Sequence, residues 1–221
     1  MTATPAARDP RRGGWGHRLT AVASIVLVSA AAGCSNPTNP TTGEPSTSAD
    51  CNRVDYPLVD IPPRSGDAPA MQIPQPPGWE VGQTDEKEHQ RLRFVQTNQA
   101  LAANHYAPTS AVTLSSHPGQ WPAQELFDEA NSALIDSGFA EGIQSRPTTV
   151  CGQPAEISDY TMTLDGVSAP MSAKALMAVA ESENETYLAV LTITTTEPDN
   201  PIYQRDSQAI LDGFAIVIKD E

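Results

Sequence analysis

The 221-residue chain predicts an α+β fold, a mainly antiparallel twisted sheet flanked by helices, and three observations carry that expectation. Alternating or β-branched runs follow one another with turn residues between them, the pattern of strands that pair with their sequence neighbours. Only two segments in the globular part have helical spacing, and both are inserted between strands. The run Tyr187 to Thr195 (YLAVLTITT) is so apolar and β-branched that it predicts a central strand covered on both faces.

The first 33 residues read as a segment removed from the mature protein. Arg8, Arg11, Arg12 and Arg18 precede an apolar run from Leu19 to Ala32, which ends in Ala31-Ala32-Gly33-Cys34-Ser35. That is the layout of a bacterial lipoprotein signal, cleaved just before a cysteine that is then lipidated. A retained transmembrane helix needs about 20 apolar residues, and this run is shorter. Cys34 is therefore the expected lipidation site, and the lipid is the expected link to the membrane, on its extracytoplasmic face. One acyl chain binds only marginally, whereas two or more hold firmly.

Residues 35–50 (SNPTNPTTGEPSTSAD) hold almost no apolar side chain, so they cannot bury a core and read as an extended tether. Residues 51–221 then have the size of a single globular domain. Removing residues 1–33, with four arginines and Asp9, takes the formal charge from −14 to −17. Such a surface is repelled by nucleic acid and by anionic headgroups, so no DNA or RNA partner is expected.

Within the domain the elements are read in order. Prolines at 62, 63, 74, 76 and 77 break up the entry, which predicts loop with one short strand at Met71 to Ile73. Strands follow at 91–97 (RLRFVQT) and 111–115 (AVTLS), with a turn at Pro118-Gly119. Residues 122–137 predict a helix that begins at a proline, ends at Gly138 and aligns Leu126, Ala130 and Leu134. Strands are expected at 143–150, 155–164, 172–180 and 186–195, with Asp165-Gly166 and Glu183-Asn184 as turns. Asn200-Pro201 opens a second helix over 202–212, Gly213 stops it, and FAIVI at 214–218 closes the fold as a strand.

Cysteine arithmetic links the ends of this reading. An exported chain with three cysteines leaves one unpaired; lipid on Cys34 removes it, and Cys51 is left to pair with Cys151. Neither has a Cys-x-x-Cys partner, so the bond reads as structural.

The signal, the tether, the Ile73-Pro74-Gln75-Pro76-Pro77-Gly78-Trp79 entry, the helix before Gly138-Phe139, the Gly152-Gln153-Pro154-Ala155 turn into a tyrosine-bearing strand, and the Thr194-Thr195-Thr196 strand followed by helix and FAIVI together resemble the LpqN/LpqT family of actinobacterial lipoproteins. The resemblance implies a fold similar to the Mog1/PsbP type, a place in the cell envelope, and protein contacts rather than a defined reaction. It brings no catalytic residues and no cofactor.

The residues add little chemistry of their own. His89, His105 and His117 fall into no metal-ligand spacing, and no nucleophile elbow, P-loop or dinucleotide fingerprint occurs. Asp85-Glu86-Lys87-Glu88-His89 lacks the turn glycines of a calcium loop and reads as a solvated loop. His105-Tyr106 lies in a polar loop, where binding residues concentrate. Trp79 and Trp121 each follow a Pro/Gly turn, and form a candidate binding face or plugs at the ends of the core. The expected function is a non-enzymatic, membrane-anchored interaction domain of the cell envelope with protein partners. The alternative is a carrier of a lipid or other apolar ligand, which requires a pocket lined by the later strands. An enzyme would need a site that no sequence pattern discloses.

Overall fold

Ten strands and two α-helices build the domain in a computed structural model that describes residues 51, 54–63, 68–84 and 91–217. The expected signal segment, Cys34, the tether over 35–50 and the Asp85–His89 cluster lie outside the described residues.

The large sheet has seven strands, all antiparallel. In spatial order they are β3 (Glu80–Val81), β4 (Leu92–Thr97), β5 (Thr109–Pro118), β9 (Glu185–Thr195), β8 (Met171–Glu181), β7 (Gln153–Met162) and β6 (Ala140–Val150). A three-stranded sheet sets β2 (Ala70–Pro74) between β1 (Leu58–Ile61) and β10 (Ala215–Val217), again antiparallel. Helix α1 spans Ala123–Asp136 and α2 spans Pro201–Asp212. The architecture is thus α+β with mostly antiparallel sheets, as the sequence predicts.

One expectation needs correction. The proline-rich entry holds three strands, β1, β2 and β3, rather than one. Prolines are tolerated there because they sit at strand ends, as Pro74 does at the end of β2. The closing strand forms as β10 where the sequence predicts it, and it belongs to the small sheet, where Ile216 pairs with Met71.

Strand β9 is fourth of seven, which explains its run of apolar residues. Leu188 points to one face with Met177 and Val179 of β8, while Ala189, Leu191 and Ile193 point to the other with Leu176, Ala178 and Ala180. On the first face Leu126 and Phe127 of α1 complete the packing. Polar side chains fasten the same helix to β7: Asn131 Nδ2 donates to Glu156 at 2.8 Å, and Ser158 Oγ donates to Asn131 Oδ1 at 3.0 Å.

The second face receives α2 and the small sheet. Tyr203, Ile210 and Leu211 meet Ile61, Met71, Ile73 and Phe214 there, and this is the main core. Asn200 caps α2, accepting from the Ile202 and Tyr203 amides at 2.9 and 3.2 Å, with Pro201 at the first helical position. Gly213 ends the helix by necessity: a Cβ there would stand 2.4 Å from Pro74 Cγ and 2.5 Å from Val54 Cγ2.

Candidate functional site

The large sheet has two ends, and they differ chemically. One is marked by the β6–β7 hairpin turn, where Cys151 (φ 53°) and Gly152 (φ 80°) both take left-handed backbone, the pattern of a two-residue hairpin turn. Cys151 is bonded to Cys51 with their Cα atoms 4.8 Å apart, within the usual span for a disulfide. The chain therefore enters the domain at this end. A non-glycine residue rarely holds such a φ; here the cross-link fixes it.

The opposite end gathers the start of β5, β6 and β8 and the finish of β4, β7 and β9. Between β4 and β5 the chain makes a tight reversal: Ala103 and Tyr106 exchange backbone hydrogen bonds of 2.9 and 2.8 Å across Asn104 (φ 52°) and His105 (φ 63°). Two consecutive non-glycine residues in left-handed backbone are strained, and such strain persists only where neighbours over-determine it. They do so here. His105 Nδ1 and Ser168 Oγ share a hydrogen bond of 2.7 Å, the Ser168 amide donates to Asn104 O at 3.2 Å, and Asn104 Nδ2 donates to Glu197 at 3.2 Å. Thr196 Oγ1 donates to Ala103 O at 3.1 Å, and the Tyr106 hydroxyl pairs with Thr194 Oγ1 at 2.5 Å. Three loops are tied into one rigid surface.

Sequence reasoning found His105 and Tyr106 but not Ser168, Thr194 or Glu197, which are 63 to 93 residues away from the turn side chains they bind. An Asn-His pair between two strands was the available signal, since Asn tolerates left-handed backbone.

Serine beside imidazole is the beginning of a nucleophile, but the remaining parts are assigned elsewhere. A catalytic histidine of that kind is oriented by a carboxylate on its other nitrogen, and oxyanion donors must be free. Glu197 instead accepts from Asn104, and the Ser168 amide is spent on a carbonyl. What the cluster does chemically is hold loops in place. Among the described residues no group of three or more His, Cys, Asp or Glu side chains is placed to hold a metal.

The two tryptophans do not share a surface. Trp79 is buried in the core with its indole Nε1 donating to the buried Asp206 at 3.1 Å, so it lends nothing to a binding face. Trp121 is 38% exposed, lies against the His117 ring at 5.7 Å between centroids, and donates Nε1–H to Pro118 O at 2.9 Å. It stands at the entry end of the sheet. The later strands where a carrier pocket was expected, β8 and β9, are packed on both faces by side chains of α1, α2 and the small sheet.

A second charged feature lies on β7 and its neighbours, where Asp159 accepts from Lys174 and Arg146. Partial burial pushes its carboxyl up, but the hydrogen bonds and charges of Lys174 and Arg146 outweigh this and hold it below the usual carboxylate range. Burial pushes the Tyr203 phenol strongly up, so it stays neutral inside the core. Among the described residues no helix is long and apolar enough to cross a membrane.

An α+β domain of this kind, disulfide-bonded at one end of its large sheet and clasped at the other, defines a class of fold. A family profile described as "Probable lipoprotein LpqN" matches residues 57–217, nearly the whole described domain, and the chain belongs to this lipoprotein family. Among solved structures the fold is similar to one described as LpqN involved in cell envelope biogenesis of Mycobacterium tuberculosis, with a TM-score of 0.57 and 14% identity. That match covers 73% of this chain and 91% of the other. No curated protein matches the chain significantly.

Proposed function

We propose that this chain is a lipid-anchored protein of the cell envelope that presents a rigid, non-enzymatic domain to protein partners outside the plasma membrane. Lipid on Cys34 holds the mature chain to the membrane, and residues 35–50 carry the domain away from it. The domain is of the Mog1/PsbP kind, a sheet with helices on both faces. Membership of the lipoprotein family supports the anchor, and the role in envelope biogenesis stated for the M. tuberculosis structure supports the compartment.

The observation that carries the reading is the placement of the disulfide. Cys51 is the first described residue, and its bond to Cys151 fixes it at the end of the sheet opposite the clasp. A domain held this way is suited to meet another protein rather than to lie on lipid, which its net charge of −17 disfavours.

Mass spectrometry of the N-terminal peptide from membrane fractions tests the anchor. An acylated Cys34 as the first residue is expected, and Cys34→Ala should leave unprocessed precursor or release the protein. A processed, membrane-bound Cys34→Ala chain without lipid would refute the reading.

A further inference from the structure

Seven large apolar side chains are exposed among the described residues, and four of them stand at the clasped end of the sheet: Ile135 (59%), Phe139 (56%), Leu164 (45%) and Ile202 (46%). The register places two of them together, and Ile202 lies apart, because α2 packs on the other face of the sheet from α1. Ala140 pairs with Met162, so Phe139 and Leu164 flank one end of the β6–β7 ladder, while Ile135 lies in the last turn of α1 and Ile202 in the first turn of α2. Phe139, Leu164 and Ile135, which precedes Phe139 by four residues at the end of α1, are the exposed large apolar side chains of this corner.

The loops around Phe139 and Leu164 carry charge of one sign, whereas Ile202 has Arg205 one turn further along α2. The loops at this end, residues 98–108, 137–139, 163–170 and 196–200, contain no lysine or arginine. They contribute Asp165, Glu197 and Asp199, and Asp136 adds a carboxylate from the last residue of α1. The C-terminus of a helix carries partial negative charge and favours a cation, so Asp136 is locally unfavourable where it sits. A local rule broken without a structural return marks a surface kept for another purpose. The clasp of His105, Ser168, Asn104 and Glu197 holds these loops rigid, which lowers the ordering cost of binding.

We infer that this end of the sheet is a docking surface for a protein segment with an apolar centre and a basic rim. This rests on the adaptor reading above and adds where the partner sits and what chemistry it has. Charge selects the occupant: a second copy of the chain brings the same carboxylates, and an anionic lipid surface is repelled. A partner with Lys or Arg around apolar side chains satisfies both features. The surface lies about the length of β7 from Cys51, roughly 30 Å for ten residues.

Photo-cross-linking in growing cells tests this with the full-length lipoprotein carrying benzoylphenylalanine at 139, 164 or 121. The expected result is one protein adduct shared by positions 139 and 164 and absent at 121, with the cross-linked peptide bearing Lys or Arg within two residues of its apolar contact. Asp136→Lys with Asp165→Lys should lower the yield at least tenfold at an unchanged melting temperature. An adduct with a second copy, a lipid or an acidic peptide would overturn the surface, as would insensitivity to the charge reversal. An adduct at 121 alone would overturn the surface and keep the adaptor reading, whereas no protein adduct at any position would overturn both.

Discussion

The Trp79 indole donates to Asp206 at 3.1 Å across 127 residues of sequence, joining the entry segment to α2 inside the main core. Arg205 approaches the same carboxylate from outside, with Nε at 2.9 Å and Nη2 at 2.7 Å. The buried charge is thus satisfied by one donor in the core and one at the surface, which is the condition for tolerating it.

Removing either partner should be costly. Trp79→Ala is expected to lose about 3–5 kcal/mol, lowering the melting temperature by roughly 10 °C for a domain of this size. Asp206→Ala leaves the indole N–H buried without an acceptor, at about 1–3 kcal/mol. Chemical denaturation of both single variants and the double variant should give a double-variant loss smaller than the sum. Full additivity would show that the two side chains do not act as a pair.

The tryptophans should also separate spectroscopically. Trp79 is 2% exposed and Trp121 is 38% exposed, so iodide should quench the Trp121 component and leave a blue-shifted remainder. Trp121→Ala is expected to cost about 1 kcal/mol through partial burial, a few degrees in melting temperature and well below the Trp79 effect. An equal loss at both positions would contradict their different packing.

Reduction, or Cys51→Ser with Cys151→Ser, opens a loop of sequence separation 100. Chain entropy alone places the loss at about 4.7 kcal/mol. The urea midpoint should fall accordingly while far-ultraviolet circular dichroism of the folded form stays unchanged. A midpoint unmoved by reduction would mean that the bond does not form in the mature protein.

Asp159 gives a pH dependence of definite sign. Its folded carboxyl titrates below its unfolded value because of Lys174 and Arg146, so its contribution is present above the unfolded value and lost as pH falls through the folded one. Thermal melts between pH 6 and about pH 3 should therefore slope less steeply in Asp159→Asn than in the parent. Parallel slopes would mean that the pair of cations contributes nothing to stability.

The strained turn offers a test of a different kind. Asn-Gly is the favoured pair for a turn with two left-handed residues, so His105→Gly relieves strain while deleting the bond to Ser168. The melting temperature should hold within a few degrees. A collapse in stability would show that the side-chain bond outweighs the backbone strain.

Most elements were legible because periodicity is local. The helix over α1 and the strands β4 to β9 follow from alternation, caps and turns that lie within a dozen residues. The entry escapes local reading because β1 and β2 are short and proline-flanked, and the pairing of β2 with β10 depends on residues more than 140 positions away. The clasp was invisible for the same reason, since Ser168 and Glu197 carry no motif and meet Asn104 and His105 only when three loops converge.

By itself, the sequence determined what composition and local pattern can express: an acidic α+β domain, and the expectation that lipid on Cys34 leaves Cys51 to pair with Cys151. Only the tertiary structure decided that Trp79 is core while Trp121 is surface, that β10 seals a second sheet, and that Phe139 and Leu164 meet at one acidic corner. The reason is physical. Periodicity specifies which face of an element is apolar, but whether another element covers that face depends on contacts between distant parts of the chain, which no local window contains.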